Sequence, residues 1–317
     1  MKSQDELIEE AEILERDGQR LFALDAWKAI ASSHPSVFAL CRLGWLAKRL
    51  GQSQEAEDAF RAALEIDADA IDPLVALGAL AIDQGDPQAA TTHLNRALAT
   101  EPTAHGYCLL GVALSSMGED RESENAFRAA LKIDPEHEES YYNLAVLLRA
   151  GDPAEAQQLL EKALLLDPDY SIAHRELGLL VAKHNPGPVA EYHLRRAVEI
   201  NPQDAWARTY LGTYLEGRGA LDSAISEFRI AAELEPTRAF PLWSLADVYE
   251  SQGKWDEARS LYEKALNLEP DSLVANTNLG RFFKKRGQIA LAKEYLGRAL
   301  FLNPSHKAAR KLLSEIE

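Results

Sequence analysis

The 317-residue chain holds two cysteines, Cys41 and Cys108, with no second pair at metal-ligand spacing. That excludes a disulfide framework and a cysteine-based zinc site, and fits a reducing compartment. Uninterrupted apolar runs of about 18 residues or more are also missing, so no membrane-spanning helix is expected. The first residues, MKSQDELIEEAEIL, are acidic and lack the apolar segment of a signal peptide. Basic charge is in deficit, with 34 Lys and Arg against 50 Asp and Glu, a net of −16. A nucleic-acid binder needs a basic footprint, so that class is disfavoured. Catalytic signatures are lacking too. None of the eight histidines falls in an HExxH or another metal spacing, and neither a GxGxxG loop nor a G-x-S-x-G elbow occurs. Arg42, Lys48 and Arg49 beside Cys41 would lower its thiol pKa, but no base accompanies them. The expectation is a cytoplasmic protein without enzymatic activity, cofactor or metal.

What is present is repetition. Ala239 to Pro270 shows it: Leu242, Leu245, Ala246 and Tyr249 mark one face of a first helix. Gly253 ends that helix. A second helix follows with Ala258, Leu261, Tyr262, Ala265 and Leu266, and Pro270 closes the unit. Neither short helix can bury its stripe alone, so neighbours are required. The closing proline recurs as Pro35, Pro102, Pro135, Pro168, Pro202, Pro236, Pro270 and Pro304, 33 or 34 residues apart. The one longer gap, from Pro35 to Pro102, has Ala68 where the missing proline belongs. A small residue recurs in the first helices: Ala11, Gly44, Gly78, Gly111, Ala145, Gly178, Gly212, Ala246 and Gly280. An alanine opens the second helices, with Ser123 as the exception. A large apolar residue follows four positions later, as in Trp27, Phe60, Phe127, Phe228 and Tyr262.

These residues resemble the tetratricopeptide repeat, with its leucine–glycine pair, its A…F/Y…A second helix and its closing proline. The resemblance divides the chain into nine units at about 4–36, 37–70, 71–103, 104–137, 138–170, 171–204, 205–238, 239–272 and 273–304. Residues 305–317 follow as a capping helix, which such arrays need. The implied fold is an all-α, right-handed superhelical solenoid with first helices lining a concave groove. Local departures are expected at Gly151, after a shortened first helix, and at Asn185-Pro186-Gly187-Pro188, where Asn185 can take the left-handed turn conformation, though less readily than glycine.

The resemblance also implies that binding falls to variable positions of the first helices. Trp206, Tyr210, Phe240 and Trp243 cluster there on adjacent units, either as a hot spot for a peptide or helix or as filler between helices. Phe38, Arg42 and Trp45 form a second group, and Asn278, Arg281, Lys284 and Lys285 a third, basic one. Val75, Ala76, Ala79, Leu109 and Val112 would make an apolar floor. The equivalent positions of Asp247 and Arg281, and of Glu250 and Lys284, allow these charges to pair between neighbouring helices, leaving Lys285 without an evident partner. Residues 281–317 carry a net +6, and the rest of the chain −22. That end either steers an acidic partner, including the acidic N-terminal end of another copy, or is a solvated cap. Neither Asn143 nor Asn278 has the lysine and asparagine companions of the family's carboxylate clamp. The expected role is a scaffold or adaptor binding a peptide or helix of a partner protein. The alternative is a rigid structural or regulatory subunit that uses edges and the convex face within a larger complex.

Overall fold

The computed structural model describes residues 3–316. Met1, Lys2 and Glu317, which fall in the N-terminal stretch and the terminal cap of the sequence reading, lie outside the described residues. The described residues form nineteen α-helices and no strand. The described residues fall into two compact units, within Met1–Leu166 and Asp167–Glu317.

Unit 1 holds α1 (Gln4–Arg16) with α2 (Arg20–Ser33), α3 (Val37–Arg49) with α4 (Ser53–Ile66), and α5 (Ile71–Asp83) with α6 (Pro87–Thr100). It continues with α7 (Ala104–Ser116) and α8 (Asp120–Ile133), then α9 (Glu138–Leu148) and α10 (Pro153–Leu166). Unit 2 holds α11 (Ser171–His184) with α12 (Pro188–Ile200), and α13 (Ala205–Gly217) with α14 (Leu221–Leu234). Then come α15 (Phe240–Ser251) with α16 (Trp255–Leu268), α17 (Leu273–Lys285) with α18 (Ile289–Leu302), and α19 (Lys307–Ser314). Within each unit a helix packs on its pair partner and on the next pair in sequence. That nearest-neighbour pattern defines a helical-repeat array.

Local chemistry sets the boundaries. Ser3 and Glu6 form a reciprocal capping box at the start of α1. Asp86 accepts from the Ala89 amide while Pro87 occupies the first turn of α6, and Asp152 accepts from the Glu155 amide before α10. Between pairs, the residue before the closing proline makes a small side-chain turn. Asp134, Asp167, Asn201 and Asn303 each accept, through Oδ1, from the amide two residues on. Within most pairs the connection uses a left-handed glycine, as at Gly253 (φ +74°). The exceptions are the two departures read from the sequence. α9 has 11 residues, and Gly151 has no positive φ. Asn185 does not take the left-handed conformation open to it: its φ is −149°. The prolines on either side of Gly187 hold that segment extended instead.

The core is made by the small-to-large pairing. A Cβ on Gly212 would lie 2.6 Å from Phe228 Cε1, and one on Gly44 would lie 2.5 Å from Phe60 Cε1. The missing side chain is therefore what lets the partner ring seat against the first helix. Phe60, Phe127 and Phe228 are buried, each worth about 1.5–3 kcal/mol in transfer from water. Ser123 breaks the alanine pattern without harm, because its hydroxyl donates to Gly111 O at 2.7 Å. At the end of unit 2, α19 covers Leu296 and Ala299 with Ala309, Leu312 and Leu313.

Candidate functional site

The first helices of unit 2 bring three of the four predicted aromatics together. Trp206 and Tyr210, one turn apart on α13, stack with ring centroids 5.6 Å apart. Phe240 of α15 reaches both, at 6.0 and 6.1 Å. Arg238 lies over the Trp206 ring at 4.0 Å, a cation–π contact. All three rings are half-buried, so the trio fills the seam between α13 and α15 and still presents an edge to solvent. Trp243 is not part of this trio. It packs with Leu242, Ala265 and Leu261 toward α16, and its buried indole N–H finds no acceptor.

Tyr210 also lines a concavity of about 470 Å³ with Leu179, Ala182 and Leu194. Pro186 belongs to the lining, so the irregular 185–188 segment helps shape it. Tyr214 tethers that segment, its hydroxyl donating to Gly187 O at 2.9 Å. Lys183 and Arg218, both exposed, stand at the mouth. An apolar hollow edged by two cations suits an apolar side chain with a neighbouring carboxylate. The sequence reading did not find this hollow. Its only signal was the break in the repeat pattern at Asn185–Pro188.

Most of the predicted cations are engaged inside the units, through a device that occurs twice. Trp27 Nε1 donates to Glu15 at 2.6 Å, and Glu15 pairs with Arg42 of the next first helix at 2.9 Å. Likewise the single hydroxyl proton of Tyr262 is shared between Asp247 at 2.5 Å and Glu250 at 2.9 Å, and these acids meet Arg281 and Lys285 of α17. Here the small residue of the first helix is alanine, Ala11 or Ala246, and the large partner carries a polar tip. An acid then satisfies the tip (half-buried Glu15, or half-buried Asp247 with buried Glu250), and a cation from the next repeat compensates it. This bears on two expectations. Arg281 pairs with Asp247 as anticipated. Lys284, however, pairs with Glu315 beyond α19, and Lys285, anticipated to lack a partner, pairs with Glu250 at 2.5 Å. The C-terminal cap supplies an acid that draws Lys284 away, so Glu250 falls to the adjacent lysine. Asn278, on the same helix, is half-buried.

Burial and the acidic neighbours hold Tyr262 protonated, well above the ordinary phenol range. Glu216 of α13 is raised from the usual carboxylate range by desolvation and then by Asp247, with Arg281 opposing. An acid with a raised folded pKa destabilises the protein when ionised, and the penalty vanishes below the unfolded pKa. Glu216→Gln is therefore expected to raise the denaturation midpoint at pH 7, with the gain disappearing as the pH falls through the ordinary carboxylate range near 4.5. Urea titrations at both pH values check this.

In unit 1, Phe38 and Trp45 share a face of α3 and remain 50% and 37% exposed, the most open of the predicted aromatics. Their inner edges rest on Trp27 and Phe60. Lys48 lies over Trp45 and also pairs with Asp83. The expected floor is largely consumed by packing: Val75, Ala76 and Ala79 are buried, and Leu109 packs against Val75. Cys41 is no reactive thiol. Burial first, and Asp72 second, push its pKa up to about 12, opposite to the lowering expected from the basic residues nearby in sequence. Burial likewise raises Cys108, to about 11. Among the described residues no helix is long and apolar enough to cross a membrane.

Tetratricopeptide repeat models match residues 37–70, 72–96, 104–137, 146–205, 211–272 and 249–316. The chain is a tetratricopeptide repeat protein. Among solved structures, it is similar to a chain of the APC/C hetero-tetramer Cut9–Hcn1, at 18% identity and a TM-score of 0.69. That likeness covers 96% of this chain but 60% of the other, so this chain spans less than two thirds of its neighbour's length. It is also similar to pilF of Pseudomonas aeruginosa, at 19% identity and a TM-score of 0.58, over 67% of this chain and 97% of that one. A tetratricopeptide repeat protein from Parabacteroides merdae matches at 20% identity and a TM-score of 0.61, over 78% and 98% of the two chains. At these identities the likeness concerns the fold alone. None of the curated proteins matches.

Proposed function

We propose that this chain is a non-catalytic protein-interaction scaffold that takes an extended segment or helix of a partner against the first helices of unit 2. The observation that supports this reading most directly is the apolar hollow of about 470 Å³ between α11 and α13, with Lys183 and Arg218 at its mouth. It continues through Tyr210 to Trp206 and Phe240. Half-buried aromatics at a rigid seam are the residues that dominate binding energy in such contacts. Trp243, Phe38, Arg42, Trp45, Asn278, Arg281, Lys284 and Lys285 belong to this proposal as secondary contacts. The ion pairs of Arg42, Arg281, Lys284 and Lys285 limit what they offer a partner.

A displayed peptide library selected on the purified protein tests the reading. Enriched sequences are expected to place an apolar residue beside an acidic one. Binding by a selected peptide should weaken by about 10-fold or more in Tyr210→Ala and in Trp206→Ala. A library with no enrichment, or affinity unchanged in both variants, would sink the groove assignment.

A second reading rests on a different observation. Leu21, Phe22, Leu165, Tyr192 and Phe301 are exposed on second helices, with Phe301 at 87%. Such residues suit a subunit that docks by its outer face or edges, the kind of role suggested by the hetero-tetramer named for the Cut9–Hcn1 structure. The basic C-terminal end extends this to head-to-tail contact between copies. Sedimentation at low and high salt measures it: association that fails to weaken with salt excludes steering by charge.

A further inference from the structure

We propose that His105, His137 and Glu139 form a binding site for a first-row divalent transition-metal ion, of the zinc class, at the N-terminal ends of α7 and α9. This site is independent of the groove in unit 2. One ligand atom from each of the three residues lies within 4.8 Å of the other two. His105 sits in the first turn of α7, His137 immediately before α9, and Glu139 in the first turn of α9. The two imidazoles are 6.3 Å apart between centroids and tilted by 38°. Three bonds of about 2.0–2.2 Å would draw the ligand atoms together by something over an ångström. His105 is exposed, and its side chain has the freedom to make that adjustment.

The chemistry of the donors fits. His137 Nδ1 is 3.0 Å from the hydroxyl of buried Ser140. Nδ1 also accepts from the Ser140 amide at 3.3 Å, as the cap of α9. In the other tautomer Nδ1 carries the proton, donates it to the Ser140 hydroxyl in exchange for that cap bond, and leaves the lone pair of Nε2 for an ion, the usual outer-shell arrangement for a metal-bound imidazole. The Ser140 amide stays satisfied in that state, because it also donates to His137 O at 3.1 Å. Two imidazoles and a carboxylate suit zinc, cobalt or nickel, and leave at least one coordination position for water or for a partner's side chain.

The repeat itself does not call for these residues. The position of His105 is taken by Phe38, Trp206 and Phe240 in other first helices. The start of α9 uses a histidine where α7, α13 and α17 use Thr103, Asp204 and Ser272. His306 caps α19 in the same manner, so the cap alone does not require an ion. What distinguishes the α9 end is the second histidine and the glutamate. In sequence the two histidines are about a repeat apart, which matches no short ligand motif. Stacking of adjacent repeats is what juxtaposes them.

Titration of tag-free protein with zinc, followed calorimetrically, and with cobalt, followed by its visible absorption, tests the proposal. One ion per chain is expected at this site. His105→Ala and Glu139→Gln should each lower its affinity by about 100-fold or more, and Ser140→Ala by about 10- to 100-fold. Circular dichroism monitors the fold of each variant, and His105→Ala, at an exposed position, is expected to keep native helicity. His174→Asn, at the other close histidine pair, should leave zinc binding unchanged. Absence of wild-type binding at millimolar ion would overturn the assignment, as would undiminished binding in His105→Ala and Glu139→Gln.

Discussion

Phe228→Ala is expected to destabilise unit 2 by about 3–5 kcal/mol, lowering its thermal midpoint by roughly 6–20 °C. Phe228, on α14, is fully buried where that helix packs on α13 and α15, and its ring rests on the bare Cα of Gly212. Removing the ring leaves a cavity that a glycine across the interface does nothing to fill. The converse change, Gly212→Ala, places a methyl 2.6 Å from Phe228 Cε1 and should cost about 1–3 kcal/mol through overpacking. Gly212→Ala with Phe228→Leu has a precedent in the chain, since α9 and α10 use buried Ala145 with Leu160 at the corresponding positions. The double variant is therefore expected to lose less than the sum of Gly212→Ala and Phe228→Leu measured singly. Urea denaturation with hydrogen exchange of α13 and α14 amides reads all four. Additive losses would show that the two positions are not coupled as described.

Arg281→Met should cost about 1–3 kcal/mol at pH 7, between the values for exposed and for buried ion pairs, because Arg281 and Asp247 are each about one-third exposed while Glu250 is buried. Arg281 answers Asp247 and approaches Glu250, whose side chain is almost wholly buried. Without it, the acids that hold the Tyr262 hydroxyl keep only Lys285 as a cation from α17. Glu216 loses the one influence that lowers its pKa, so its folded value rises further. The sign follows: the penalty is complete above that folded value and disappears below the unfolded carboxylate range near 4.5. The gap in stability between Arg281→Met and the parent protein should accordingly narrow on acidification. A gap that stays constant from pH 7 to pH 4 would mean that Arg281 contributes by packing rather than by charge.

These two sites differ in how they could be read beforehand. Gly212 and Phe228 recur in register in other units as small and large residues, so their contact followed from the period alone. The Tyr262–Asp247–Arg281 group was half legible. The equivalent positions of Asp247 and Arg281 in adjacent repeats indicated a pair, but Tyr262 was read only as a large core residue. Nothing in linear order showed that its hydroxyl would hold two acids, buried Glu250 and half-buried Asp247. Lys284 and Lys285 could not be assigned from position, because side chains of that length choose among acids within reach. Glu315 comes within reach only when α19 folds onto α17 and α18. The aromatic quartet divided for a similar reason. Trp206, Tyr210 and Phe240 point into one seam, whereas Trp243 turns toward α16.

The sequence by itself determined the all-helical class, the helix pairing and the family. Each depends on features that repeat with the chain's own period: a closing proline, a small residue, and a large residue sixteen positions later. Tertiary structure decided which variable residues remain available. It consumed Arg42, Arg281 and Lys285 in charge compensation, shaped a hollow at the irregular 185–188 segment, and set His105 beside His137 and Glu139. The physical reason is one of range. Helix formation and small-to-large packing are specified by residues at fixed spacing, whereas pairing, burial and ligand geometry depend on distances between helices that only the packed repeats define.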